Sequence, residues 1–203
     1  MKTHVLKSMK TSFLQAIAVL IISTACQVQA QSNTSTGNPA MSISISGTCN
    51  TADGQYSLYY TTSGYNNAAI GYASLYQNLN GYNNTALGMN ALATNGGGYA
   101  NTATGSHALY SNLAGNANTA IGMCALLSCI GSSNIAIGYY AGSAATSGSN
   151  NIHIGHTGLA ADTNVIRIGT PTTHAATYIA GVVRIKQSGD ISMGVFTNGS
   201  QPQ

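Results

Sequence analysis

Apolar and polar positions recur along Gly64 to Gly155 as one phrase written repeatedly. In phase it reads NNAAIG (66–71), NNTALG (83–88), ANTATG (100–105), ANTAIG (117–122), SNIAIG (133–138) and NNIHIG (150–155). The closing glycines are Gly71, Gly88, Gly105, Gly122, Gly138 and Gly155. Their step is constant except between Gly122 and Gly138, where it is shorter by one. A seventh copy, VIRIG, closes at Gly169 after a shorter step still. A fixed period of about 17 residues marks successive coils of one backbone spiral. Each phrase is too short and too bound by glycine for a helix. Its branched and small residues fit a short strand ended by a turn. The pattern therefore predicts an all-β fold, a parallel β-roll or β-solenoid with one phrase per coil. Its strands would stack about 4.7–4.9 Å apart.

Individual columns sharpen this expectation. One is asparagine in six consecutive copies: Asn67, Asn84, Asn101, Asn118, Asn134 and Asn151. It predicts a structural ladder in which each side-chain amide bonds the identical amide of the next coil, as in stacked cross-β arrays. Two residues on stand Ala69, Ala86, Ala103, Ala120 and Ala136. Next come Ile70, Leu87, Thr104, Ile121, Ile137, Ile154 and Ile168. Ile70, Leu87, Ile121, Ile137, Ile154 and Ile168 are the expected repeat core, interrupted by the hydroxyl of Thr104. A further column is Leu75, Leu92, Leu109 and Leu126. One coil offers few large aliphatic side chains to offset the entropy of ordering its residues. Sharing of interfaces with sister coils is expected, most simply as three identical chains around one axis. Tyr65, Tyr82 and Tyr99 recur in phase at glycine-led turns. They form a candidate contact surface, read either as a cover over the turns or as an aromatic strip for sugars or a partner protein.

The flanks differ from the array. Residues 1–30 read as a secretory signal: Lys2, Lys7 and Lys10 precede the apolar run Phe13 to Ile22, and Val28-Gln29-Ala30 resembles a cleavage site. The alternative is a lipoprotein signal with lipid on Cys26. Either way export is expected, to the extracellular space or cell surface, with the outer membrane as the site if Cys26 is lipidated. Residues 31–63 are expected to be a flexible lead-in followed by a strand cap, with strands in 41–46 and 56–62. Residues 64–169 are the array. In residues 170–203, two strands (179–186 and 191–197) would form a neck and closing cap before a loose tail.

The phrase N-[TS]-A-[IL]-G, repeated along a chain with an export signal, resembles the head repeats of trimeric autotransporter adhesins. It is also similar to the NTAIG repeats of tail-fibre-type surface proteins, where a segment like 151–182 follows the array. The resemblance implies a left-handed roll, a homotrimer and an attachment function.

Composition narrows the chemistry. Without residues 1–30 the charged residues are Lys186, Arg167 and Arg184 against Asp53, Asp162 and Asp190, a formal charge of 3 − 3 = 0. No basic patch is left for nucleic acid. Three dispersed aspartates and no glutamate disfavour paired-carboxylate hydrolysis. No serine sits in a G-x-S-x-G turn. His153 and His156, three apart on a strand, would point to opposite faces. Cys124 and Cys129 lie in one coil as a possible disulfide. No cofactor, metal or catalytic activity is expected. The sequence reads as a secreted or cell-surface structural, adhesin-like rod that meets an unknown surface protein or glycan. The alternative is a phage-derived, non-catalytic tail-fibre shaft.

Overall fold

The computed structural model describes residues 33–41, 43–44, 46–171 and 173–174. The chain divides into a compact unit ending at Thr170 and a second from Pro171 to Gln203. The expected signal and the C-terminal cap strands lie outside the described residues. The first unit is a parallel β-solenoid.

Among the described residues eleven short strands follow in order: β1 (Thr34–Ser35), β2 (Ile43–Ser44), β3 (Thr51–Asp53), β4 (Tyr60–Thr61), β5 (Ala68–Ile70), β6 (Thr85–Leu87), β7 (Thr102–Thr104), β8 (Thr119–Ile121), β9 (Ile135–Ile137), β10 (Ile152–Ile154) and β11 (Ile166–Ile168). Nine of them form one sheet, β1-β3-β5-β6-β7-β8-β9-β10-β11, and β2 pairs with β4 on a second edge of the coil. All these pairings are parallel. The register steps by one repeat, so Ala69 faces Ala86 and Ala86 faces Ala103. Bridges Gln77–Thr94 and Thr94–Ser111 continue the second edge.

The spiral begins earlier than the obvious repeats. Thr34 pairs with Thr51, and Thr51 with Ala68. The segment expected as a lead-in and cap is therefore a pair of further coils. Its phrases are degenerate, which conceals them: Asn33 and Asn50 keep the asparagine column, but the alanine and isoleucine columns read Ser35 and Thr36 in the first coil, and Ala52 is followed by Asp53 in the second.

The expected core needs correction. In a three-residue strand the middle side chain points inward and its neighbours outward. Ala52, Ala69, Ala86, Ala103, Ala120 and Ala136 are accordingly buried. Ile70, Leu87, Ile121, Ile137, Ile154 and Ile168 are all exposed, from 37% to 50% of their surface. Thr104, on the same outer row, is half-buried. The interior is instead alanine from the strand wall packed against Leu58, Leu75, Leu92, Leu109 and Leu126 from the opposite wall. The coil is narrow, so a methyl group on one side and one leucine on the other fill it.

The leucine wall is built from unusual backbone. Leu75, Leu92 and Leu109 have φ near 50°, and Ala73, Asn90 and His107 have φ of 52° to 58°. A left-handed residue that is not glycine costs about 1–2 kcal/mol, which complete burial of leucine, contributing about 1.5–3 kcal/mol, offsets. The alternation also turns successive N–H groups up and down the stack. Ala73 N–H donates to Gln55 O at 2.9 Å in the coil before, and Leu75 N–H to Ala91 O at 2.9 Å in the coil after.

The asparagine ladder is present, but it bonds mainly to backbone. Asn67, Asn84, Asn101, Asn118, Asn134 and Asn151 are buried. The side-chain oxygen of Asn84 accepts the backbone N–H of Asn101 at 3.0 Å, and that of Asn101 accepts the N–H of Asn118 at 3.0 Å. Each Nδ2 donates across to a turn carbonyl: Asn84 to Gly98 and Asn101 to Gly115, at 2.8 and 2.9 Å. Direct amide-to-amide bonds occur as well, as from Asn101 to Asn84 at 3.1 Å. Each asparagine thus staples its own turn to the next coil. A second ladder, Asn78, Asn95 and Asn112, lies on the other flank of the same turn, with Nδ2 to Oδ1 distances of 2.6 and 2.8 Å, and its amides share the carbonyls of Gly81, Gly98 and Gly115 with the first.

Candidate functional site

Three features of the solenoid carry chemistry beyond its own stacking. The first is the tyrosine row. Tyr65, Tyr82 and Tyr99 stack with ring centroids 4.9 and 4.8 Å apart and planes within 5° of parallel. The repeat produces this directly, because identical rotamers one coil apart place rings at the coil spacing. Burial raises the Tyr82 phenol above its ordinary value, and Tyr99 and Tyr65 add to this. The row stops where the column changes to Asn116, whose Oδ1 accepts the N–H of Tyr99 at 2.9 Å. It is a stacked, partly exposed aromatic strip along three successive turns.

The second feature is the outer face of the nine-stranded sheet. Ile70, Leu87, Ile121, Ile137, Ile154 and Ile168 form one column, joined by Ile135 and Ile166 in the row beside it. From Ile70 to Ile168 the column climbs six coil steps, roughly 29 Å at about 4.8 Å each. Tyr72, Met89, Met123 and Tyr139 border it, all exposed. A long apolar stripe of this kind is a candidate interaction surface.

The third closes the stack. In the last two coils the inward column becomes His153 and Arg167, which pair in register. The coil between them is shortened, and Asp162 takes the place held by glycine in the coils before. Its backbone carbonyl accepts Asn151 Nδ2 at 2.9 Å, as the glycine carbonyls do elsewhere. Its carboxylate turns inward and accepts from Arg167 Nε and Nη2, both at 2.7 Å, and from Leu159 N–H at 2.9 Å. It also meets His153 Nε2 at 3.0 Å. Hydrogen bonds from Arg167, then those from His153 and Leu159, hold the Asp162 carboxyl well below the usual carboxylate range, against the opposing effect of burial. His153 is fully buried, and its Nδ1 has no partner. His156 stacks on it at 6.5 Å, so the two histidines expected on opposite faces are neighbours. Gly155, with φ 59°, bends the chain between them. Burial first, then Arg167 and His153, lowers the His156 pKa.

This cluster is not legible from sequence. Asp162 lacks a motif, and only the in-phase replacement of alanine by His153 and Arg167 points to a polar plug. It gives a prediction about acid. A carboxyl held below its unfolded value contributes stability above that value, about 3.9, and the contribution is lost as pH falls toward the folded pKa. Wild-type protein is expected to lose stability steadily as pH drops from about 5. In Asp162→Asn the slope should flatten, and the melting temperature should already be lower at neutral pH. Thermal melts of both proteins between neutral and acid pH provide the check; parallel slopes would exclude Asp162 as the responsible group.

The two cysteines do not form the expected disulfide. Cys124 and Cys129 are buried thiols in different columns. Cys124 lies in the left-handed row of Ala73, Asn90 and His107. Cys129 replaces asparagine one coil after Asn112, and its Sγ accepts Asn134 Nδ2 at 3.4 Å. Burial raises the Cys129 thiol pKa, the reverse of what a reactive thiolate requires. Among the described residues, no three metal-ligating side chains of His, Cys, Asp or Glu converge.

Comparison with protein families, with curated proteins and with solved structures returned no match.

Proposed function

We propose that this protein is an exported, non-catalytic surface rod that self-associates through its aliphatic sheet face and presents its tyrosine-rich surface for attachment. The observation carrying this reading is the exposed column of Ile70, Leu87, Ile121, Ile137, Ile154 and Ile168. Burial against an apolar partner is what removes such a stripe from water. A second copy offers the same stripe with the same spacing, so it matches in register along its length. Three copies around one axis cover every stripe in a closed arrangement. The homotrimer and the adhesin-like role rest on the repeat phrase and its resemblance, and export rests on the signal read in residues 1–30. The tail-fibre shaft is the second reading and shares the same rod.

Native mass spectrometry of the protein lacking residues 1–30 tests this. A trimer is expected, and Ile121→Lys, placed on an exposed position that the coil itself does not use, should yield monomer. A wild-type monomer at micromolar concentration would overturn self-association.

A further inference from the structure

One coil breaks the repeat along the second edge, the one that carries β4. The repeat step places Tyr59, Tyr76, Ala93 and Tyr110 in one column, and Leu79, Gly96 and Leu113 in another. Both columns lose their bulk in the same coil, at Ala93 and Gly96. Two open grooves result, side by side. One, of about 610 Å³, is lined by Tyr56, Tyr72, Tyr76 and Tyr110 with the amides of Gln77 and Asn90. The other, of about 470 Å³, adds Tyr60, Leu79 and Leu113. They share Tyr76, Gln77 and Thr94.

We propose that these joined grooves bind an uncharged oligosaccharide. The proposal names a ligand class for the attachment surface described above, and rests on that reading. Four physical features select the class. First, the slot is one ring thick: a single missing tyrosine leaves two coil steps, about 9.6 Å, between Tyr76 and Tyr110. That height admits one ring about 4.8 Å from each side, the spacing at which Tyr65, Tyr82 and Tyr99 stack. Second, the aromatic wall is already assembled. Tyr59 and Tyr76 stack at 5.6 Å with planes 13° apart, and Tyr56 meets Tyr72 edge-on at 5.8 Å. Rigid rings lose little entropy when a ligand arrives. Third, amides and hydroxyls alternate with the rings. Gln77 is exposed at the shared rim and Thr94 is half-buried beside it, giving donors and acceptors of the kind sugar hydroxyls need. Fourth, no charge lines either groove. The charged residues among those described are Asp53, Asp162 and Arg167, none of which borders them. That disfavours nucleic acid and acidic peptide, while a polyhydroxylated ring with an apolar C–H face matches the mixture. Both volumes lie within the range of ordinary ligand sites, and their adjacency suits a chain of sugars rather than one.

The test uses saturation-transfer NMR on the protein lacking residues 1–30, with a panel of short uncharged hexose and N-acetylhexosamine chains. Saturation of at least one chain is expected at millimolar ligand. Ala93→Tyr restores the residue that the same column carries at Tyr76 and Tyr110, so the fold accommodates it while the slot fills. It should weaken binding about tenfold or more, as should Tyr76→Ala, with Ser147→Ala, exposed and outside both grooves, as an unaffected control. No saturation from any chain, or saturation unchanged in a folded Ala93→Tyr protein, overturns the proposal. Native mass on the same samples separates the two readings. A trimer that binds none of these sugars ends the glycan site alone. A monomer that binds them in an Ala93-dependent way ends self-association and sustains the site.

Discussion

Asn101→Leu is expected to destabilise the solenoid by about 1–3 kcal/mol for the one buried polar group that it leaves without a partner. Leucine branches at the same carbon as asparagine, so the shape is largely kept while the polar connections are removed. That group is the backbone N–H of Asn118, bonded to Asn101 Oδ1 at 3.0 Å; the carbonyl of Gly115, bonded to Asn101 Nδ2 at 2.9 Å, keeps Asn112 Nδ2 at 2.8 Å. The column is fully buried, so water does not replace what is lost. Because each coil touches only its neighbours, the damage should appear locally before it appears globally. Hydrogen exchange at the Asn118 amide should accelerate most, with denaturant unfolding giving the total. If Asn118 stays as protected as in wild type, the staple is not what joins these coils.

Such a result would also show which part of the ladder the sequence reveals. Six asparagines in phase announce that coils are stacked, and the parallel solenoid follows from them. They do not announce what the amides bond to, because that depends on turn glycines that pass most of a coil further along the chain. The assignment of inside and outside fails for a related reason. Isoleucine outranks alanine in hydrophobicity, so hydrophobicity alone points to the Ile70 column as core. A three-residue strand in a narrow coil instead puts its middle residue inside, and only alanine fits there. The leucines are visible in the sequence, but their left-handed backbone is not, since propensity places leucine elsewhere. The early coils at Asn33 and Asn50 are concealed by changes at Ser35, Thr36 and Asp53, although Ala52, Gly54 and Leu58 keep their columns. Asp162 is hidden because it replaces a glycine and then turns its carboxylate into the interior, a placement set by the shortened last coil. The groove at Ala93 and Gly96 is legible in principle. Gly96-Gly97-Gly98 stands out as an altered turn, but its meaning needs Ala93 in the adjoining column, two sides of one coil that only the fold brings together.

Gly105→Ala is expected to be at least as damaging as the loss of a staple, about 3 kcal/mol or more, although it adds a single methyl group. Gly105 has φ 129°, a backbone region that side chains with a Cβ rarely adopt, and a Cβ there would lie 2.6 Å from Gly122 O and 2.7 Å from Gly122 C. Strain at a glycine-only conformation costs about 1–3 kcal/mol, and the overlap with the next coil adds to it. Relief is difficult. The obstacle is backbone rather than a flexible side chain, and Gly122 N–H is itself held to Thr104 O at 2.8 Å. Moving it would lift the following coil off the stack. Gly97→Ala provides the contrast within the same repeat. A Cβ at Gly97 meets nothing within 4 Å, and its φ is not in the positive range. That substitution should be neutral, or stabilising by about 0.4–1 kcal/mol through the unfolded chain. Paired thermal melts of the two variants measure the difference. Equal melting temperatures would mean that the glycine column is not set by the close approach of successive coils, and the dense stacking that places every ladder, stripe and groove would lose its basis.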